Sequence, residues 1–203
     1  MLKDGPETRI QILRAALKRF ADAGYSATSV QQIVDDAKVS KPALYYHFAD
    51  KAGLFQALVH EAHDQRYRVL QEAVARGGDF RQQAENILSG LFAYFRENRE
   101  LMRIAFATMF AAPGELPENL SYTDKCARNF EFIHTIIKRA QKNGELDRTF
   151  DSEALAFGFY GMANFYLVAH LVAPDCEPDQ LTAKKIVELF LAGAAPKKRA
   201  PKK

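Results

Sequence analysis

Ser40, Lys41, Tyr45, Tyr46 and His47 fall in one short polar segment, and each side chain can donate a hydrogen bond to a phosphate oxygen or a base edge. Lysine reaches O6 and N7 of guanine in a DNA major groove, and the methyl of Ala43 could meet that of thymine. Pro42 and Ala43 are small, so a helix carrying them can approach its target closely. Thr28 and Ser29 lie upstream and Lys51 downstream. Hydroxyls and free N–H groups at a helix start suit a phosphate, and so does an ammonium in a first turn. This is the chemistry of contact with a duplex, not of making and breaking bonds. The competing reading is a solvated helical corner, with the hydroxyls as caps and one tyrosine partly buried.

The rest of the chain offers little that could catalyse a reaction. It has no nucleotide-binding glycine loop, no nucleophile elbow and no cluster with metal-ligand spacing. His60 and His63, with Glu61 beside them, could share a metal from one helical face, but such pairs are far more often solvated. Cys126 and Cys176 are far apart and lack metal spacing, and neither need be bonded. We therefore expect no enzyme, no cofactor and no metal.

Composition is ordinary for a soluble globular protein: 48% hydrophobic and 26% charged over 203 residues. The polar start MLKDGPETRI is unlike a signal peptide. The longest apolar run, 154–173, contains Asn164 and His170 and reads as a buried helix rather than a membrane span. A cytoplasmic setting without a membrane partner is expected. The formal charge of +3 misleads, because the tail PKKRAPKK holds five cations and the body without it carries −2. An argument for nucleic-acid binding must rest on where charge is placed.

Helix signals position the polar segment. Glu7 to Ala23 is amphipathic, with Ile10, Leu13, Leu17 and Phe20 on one stripe and Gly24 at its end. Thr28 and Gln31 have capping-box spacing, and Val30, Ile33, Val34 and Ala37 then recur at helical spacing. Ser40 caps the next helix, with Pro42 in its first turn and Leu44 and Phe48 facing inward. Asp50 caps another that begins at Lys51. Two helices joined by so few residues must cross steeply, which makes a helix-turn-helix. Further helices are expected from Lys51 to about Arg76, Phe80 through Phe95, about Arg99 to Phe110, Ser121 to Asn143, Asp151 to Ala173 and about Asp179 to Ala192, with no strand. The fold class is all-α with about nine helices. Residues 1–51 form a three-helix domain, 52–194 a helical bundle, and 195–203 a basic disordered tail.

The first domain resembles the TetR family of bacterial helix-turn-helix transcriptional regulators. The resemblance rests on Phe20-Ala21, Gly24-Tyr25, Thr28 to Val30, Ile33, Val39 to Lys41, Leu44 to Phe48, Lys51 and Leu54. It implies a homodimer that reads a palindromic operator in double-stranded DNA. Behind the reading head it implies an all-α domain that dimerises and takes a small-molecule effector, whose binding releases the repressor from its operator. In such a head Thr28, Ser29, Tyr46, His47 and Lys51 are expected as phosphate contacts, while Ser40, Lys41, Pro42, Ala43 and Tyr45 face the groove, with Lys41 equally suited to a phosphate. The family often has glycine where this chain has Lys38. If that position needs φ > 0, lysine costs roughly 1 kcal/mol relative to glycine, and its ammonium would lie near a phosphate.

The larger domain is rich in phenylalanine, tyrosine and methionine, most of which must be core. An apolar or aromatic effector is expected among Phe92, Phe95, Met102, Phe106, Phe130, His134, Asn164 and Phe165, with Asn164 and His134 as its polar groups. The dimer face is expected on the last two helices. Gly158, Gly161 and Ala163 permit close approach there, and Leu155, Phe159, Leu167, Ile186, Leu189 and Phe190 supply area. The alternative function is a nucleoid-associated DNA-binding protein of the same fold with no small-molecule effector.

Overall fold

Helices in this chain begin where a side chain can accept from their first free N–H groups. In the computed structural model, which describes residues 5–173 and 178–195, Ser40 accepts from Ala43 N at 3.3 Å and Asp50 from Gly53 N at 2.7 Å. Asp79, Asp151 and Asp179 do the same at 2.9, 2.8 and 2.7 Å. Cys176, the first four residues and the tail beyond Ala195 lie outside the described residues. Among the described residues there are nine helices and no strand. They are α1 (Pro6–Ala27), α2 (Val30–Ala37), α3 (Lys41–His47), α4 (Lys51–Ala75), α5 (Phe80–Glu97), α6 (Arg99–Ala107), α7 (Thr123–Asn143), α8 (Ser152–Val172) and α9 (Gln180–Ala194).

The capping box of α2 lies one residue later than Thr28 and Gln31. Ser29 Oγ accepts from Gln32 N at 3.2 Å, and Gln32 Oε1 accepts from Ser29 N at 2.8 Å. Thr28 is instead buried, and its hydroxyl donates to the carbonyl of Gly24 at 2.8 Å. Regular helix in α1 stops at Gly24, whose φ of 79° and ψ of 172° turn the chain before Tyr25.

The chain forms two compact units, Met1–Asp64 with Asn98–Lys125, and Gln65–Glu97 with Cys126–Lys203. The division does not follow a boundary at residue 51, because the first half of α4 and all of α6 belong with the three-helix head. In this first unit α1 packs on α2, α3 and α6. Its core holds Ile12, Ala16, Phe20, Ile33, Val34, Leu44, Phe48 and Leu54, while Ile10 is 47% exposed. The buried stripe of α1 therefore runs through positions four apart from Ile12, and the stripe that began at Ile10 is only partly buried. Phe20, Tyr25 and Phe55 form an aromatic trio with ring centres 5.1–5.9 Å apart.

In the second unit α5 packs on α8 and α9. Phe80, Phe159 and Phe190, one from each helix, meet with ring centres 5.4–6.1 Å apart. Ile87, Leu88, Leu91, Phe92 and Phe95 complete the buried face of α5. Arg139 donates to Gln83 Oε1 at 2.6 Å, and the Asp147 N–H donates to the Ala194 carbonyl at 2.8 Å, closing the unit around α9. The apolar run in α8 is a helix, but not a buried one. Only 28% of its apolar window lies inside the chain, and Phe157 and Phe165 are 61% and 74% exposed. By length and composition alone this helix could cross a membrane.

Lys38 closes α2 with φ 54° and ψ 42°, a left-handed conformation, and its N–H bonds back to Asp35 and Val34 carbonyls. Lys38→Gly is expected to raise the unfolding free energy by about 1 kcal/mol in urea denaturation, through relief of the Cβ clash. Phe159→Ala should lower it by about 3–5 kcal/mol, because the ring it removes is the centre of the α5–α8–α9 contact.

Candidate nucleic-acid interface

Helix α3 has seven residues, too few to hold itself together, so packing decides which way it faces. Leu44 and Phe48 are 0% and 7% exposed and pin it to α1 and α2. That leaves Ser40, Lys41, Pro42, Tyr45 and Tyr46 outward, with the two tyrosines 50% and 70% exposed. Ala43 lies on the inner side and is buried, so its methyl belongs to the core rather than to a thymine contact. His47 is half-buried with its ring edge-on to Tyr46 at 5.0 Å. Its Nε2 is buried without a hydrogen-bond partner.

The expected phosphate contacts divide into two groups. Ser29 and Lys38 are exposed at the two ends of α2. Thr28 and Lys51 are turned into the protein. The Lys51 ammonium donates to the carbonyls of Tyr25 and Thr28 at 3.0 and 2.9 Å, and sits 4.2 Å above the centre of the Tyr25 ring. Burial holds the Lys51 pKa below the usual lysine value. Lys51 thereby fixes the start of α4 against the corner between α1 and α2, and Thr28 is the buried floor of that corner.

Ion pairing steadies the same head. Arg19 on α1 donates twice to Asp36 on α2, at 2.5 and 2.7 Å, a fork-like contact. The Arg19 hydrogen bond holds the Asp36 carboxyl below the usual carboxylate range. One cation beside α3 is absent from the residues the motif suggests. The Arg9 guanidinium on α1 lies 5.3 Å from the centre of the Phe48 ring, at the end of α3. Nothing in the local spacing of Arg9 marks it, since its position depends on how α1 crosses α3.

The eight residues expected to line an effector site do not come together as one set. Met102 and Phe106 are buried in the first unit, and Phe92, Phe95, Phe130, His134, Asn164 and Phe165 belong to the second. Phe92 and Phe95 are core of α5, whereas Phe165 is 74% exposed. His134 Nε2 lies 2.8 Å from Ser152 Oγ, and Phe130 packs on Phe157 with ring centres 4.4 Å apart. Asn164 is a polar group of a buried cluster, where Arg66 donates to Asn164 Oδ1 at 2.7 Å and to the Tyr160 hydroxyl at 2.8 Å. Burial raises the pKa of Tyr160, while the Arg66 charge opposes that shift.

Of the six residues expected on a dimer face, Leu155, Phe159, Leu167, Ile186 and Phe190 are buried within the unit, and Leu189 is 66% exposed. The outward faces of α8 and α9 carry Phe157, Gly158, Gly161, Phe165, Leu181 and Leu189 instead. Helix α8 is apolar on most sides, so its sequence does not reveal which side is covered from within.

Residues 12–58, which span the end of the α1 core, the helix-turn-helix and the start of α4, match the family described as bacterial regulatory proteins, tetR family. The chain is 33% identical over 100 residues to the HTH-type transcriptional activator FasR of Mycolicibacterium smegmatis, a match covering 49% of this chain and 46% of that protein. It therefore spans less than two thirds of that relative. It is 25% identical over 154 residues to the probable acrEF/envCD operon repressor of Escherichia coli, covering 73% of this chain and 69% of that one. The solved structure of a SmeT–triclosan complex shares its fold, with a TM-score of 0.72 at 20% identity over 94% of this chain and 92% of that one. The helix-turn-helix segment, residues 12–58, thus matches the tetR family of bacterial regulatory proteins.

Proposed function

We propose that the protein is a transcriptional repressor that binds a palindromic DNA operator as a homodimer and leaves it when a small apolar or aromatic effector binds. The observation that carries the reading is the outward row of α3, with Ser40, Lys41, Pro42, Tyr45 and Tyr46 presented to solvent on a helix whose other side is core. Such a helix, held steeply against its neighbour, suits a major groove. Lys41 in the first turn is the base-reading residue, and Tyr45 faces the groove beside it. Ser29, Lys38 and Tyr46 contact phosphates, and Arg9 adds a cation at the far end of α3. A protein seated across an operator excludes polymerase by occupancy, which favours repression. Two heads related by a two-fold axis would read half-sites roughly 34–36 Å apart.

The dimer reading draws on α8 and α9. Phe157 and Phe165 on α8 and Leu181 and Leu189 on α9 are large apolar side chains left exposed on the two helices, and a second copy would cover them. Exposed Gly158 and Gly161 lie on α8 as well and would let a second copy approach closely. The effector reading draws on the second unit, where Phe130, His134 and the Arg66–Tyr160–Asn164 cluster set a few polar groups among rings. The fold shared with SmeT, whose solved structure is a complex with triclosan, lends it support. The nucleoid-associated alternative differs in predicting many scattered sites and no release by a small molecule.

Anisotropy titrations against the DNA flanking the gene test the reading head. Lys41→Ala should reduce binding to the operator while leaving random DNA nearly unaffected, and equal loss on both would remove Lys41 from base reading. Lys38→Gly should weaken binding to all sequences alike and flatten the slope of log K against log salt by about 0.9, or twice that if both heads of the dimer are counted. An unchanged slope would place the Lys38 ammonium away from phosphate. Phe165→Glu should convert a dimer to a monomer in light scattering without loss of helical content, and a dimer that persists would move the interface off α8.

A further inference from the structure

The first unit contains a cavity of about 420 Å³ between the end of α1 and α6 with the loop that follows it. That volume falls within the range of small-molecule sites. Phe20, Tyr25 and Phe55 present their rings to it, and Ile104, Ala107 and Leu116 complete an apolar wall. One cation lines it. The Arg103 guanidinium on α6 donates through Nη2 to the carbonyl of Ala21 at 2.6 Å, near the end of the regular part of α1. Among the described residues it makes no other hydrogen bond and no ion pair. Four of its five N–H groups thus remain for a ligand. Glu115 also lines the cavity, and its carboxylate accepts from the Ala112 N–H at 2.9 Å within the loop.

We propose that this cavity binds a small apolar carboxylate, with its hydrocarbon or ring against Phe20, Tyr25 and Phe55 and its carboxylate on Arg103. An apolar wall with a single cation, exposed and with donors that meet no protein acceptor, matches that chemistry, since guanidinium and carboxylate pair through two parallel hydrogen bonds. Glu115 disfavours the opposite orientation, because it would face the ligand's negative end. The site is distinct from the effector reading given above, whose residues Phe92, Phe130, His134 and Asn164 belong to the second unit. Its location gives it a consequence for the reading head. Tyr25 is the ring under the Lys51 ammonium, and Arg103 holds the α1 carbonyl, so a bound ligand ties α6 to the corner from which α2 and α3 extend.

The test uses the full chain without DNA, so its failure and the failure of the operator reading are separable. The chain has no tryptophan, and the anisotropy of 2-naphthoate fluorescence reports binding directly, with 2-naphthalenemethanol as the uncharged control. Naphthoate should bind, and Arg103→Met should weaken it by at least about tenfold, the loss expected for one charge-assisted pair, while the alcohol is unaffected. Ala107→Phe, at an exposed position of the wall, should abolish binding of both by filling the cavity. Asn164→Ala in the second unit should change neither. The proposal is overturned if naphthoate does not bind below about 1 mM, if Arg103→Met binds it as tightly as the parent, or if Asn164→Ala rather than the two first-unit variants removes binding.

Discussion

The reading head depends on one half-buried ammonium. Lys51 begins α4, yet its Nζ reaches back to the carbonyls at the end of α1 and the start of α2, and lies over the Tyr25 ring. Gly24 turns the chain out of regular helix there, and the Tyr25 carbonyl, which also accepts from the Thr28 N–H at 3.3 Å, has a second lone pair for the ammonium. The Thr28 hydroxyl completes the same knot from inside by donating to the Gly24 carbonyl. Three helices therefore share one set of hydrogen bonds, and the direction in which α2 leaves the corner sets where α3 points. An ammonium serves here because its three donors can be divided between two carbonyls and an aromatic face.

The second unit is built on different physics. Phenylalanines from α5, α8 and α9 meet edge to face at its centre, and polar contacts such as Arg139 to Gln83 and Asp147 to Ala194 close its ends. Nondirectional burial tolerates many sequences, which fits a chain whose family-model match covers residues 12–58 and not the second unit. The outer face of α8 is the exception. Its Phe165 is 74% exposed beside glycines, and Phe157, though it touches Phe130, is 61% exposed.

Local patterns were legible and tertiary choices were not. Asp50, Asp79, Asp151 and Asp179 cap their helices as their spacing indicates, because the acceptor and the N–H lie three residues apart in sequence. The start of α2 was ambiguous for the same local reason. Thr28 with Gln31 and Ser29 with Gln32 are equivalent capping boxes on paper, and only the carbonyl of Gly24 decides between them. The polar face of α3 could be read from residue type, whereas the inward turn of Ala43 and the inward reach of Lys51 could not. On α8 apolar residues occur on every side, so no stripe marks the buried one, whereas α9 buries a regular stripe of Ala183, Ile186, Val187, Phe190 and Ala194. Arg9 and Arg103 gave no signal, since each acquires its position from a helix distant in sequence.

Helix α3 separates two properties that proteins usually trade against each other. Its stability comes from Leu44 and Phe48 and from the Ser40 cap, while Lys41, Tyr45 and Tyr46 make no hydrogen bond within the described residues. Substitution at those three outward positions is therefore nearly free of folding cost. If α3 reads an operator as proposed, a lineage descended from this chain could change the base sequence it recognises without first acquiring a compensating mutation in the core, and duplicated copies could diverge in their targets while keeping one scaffold.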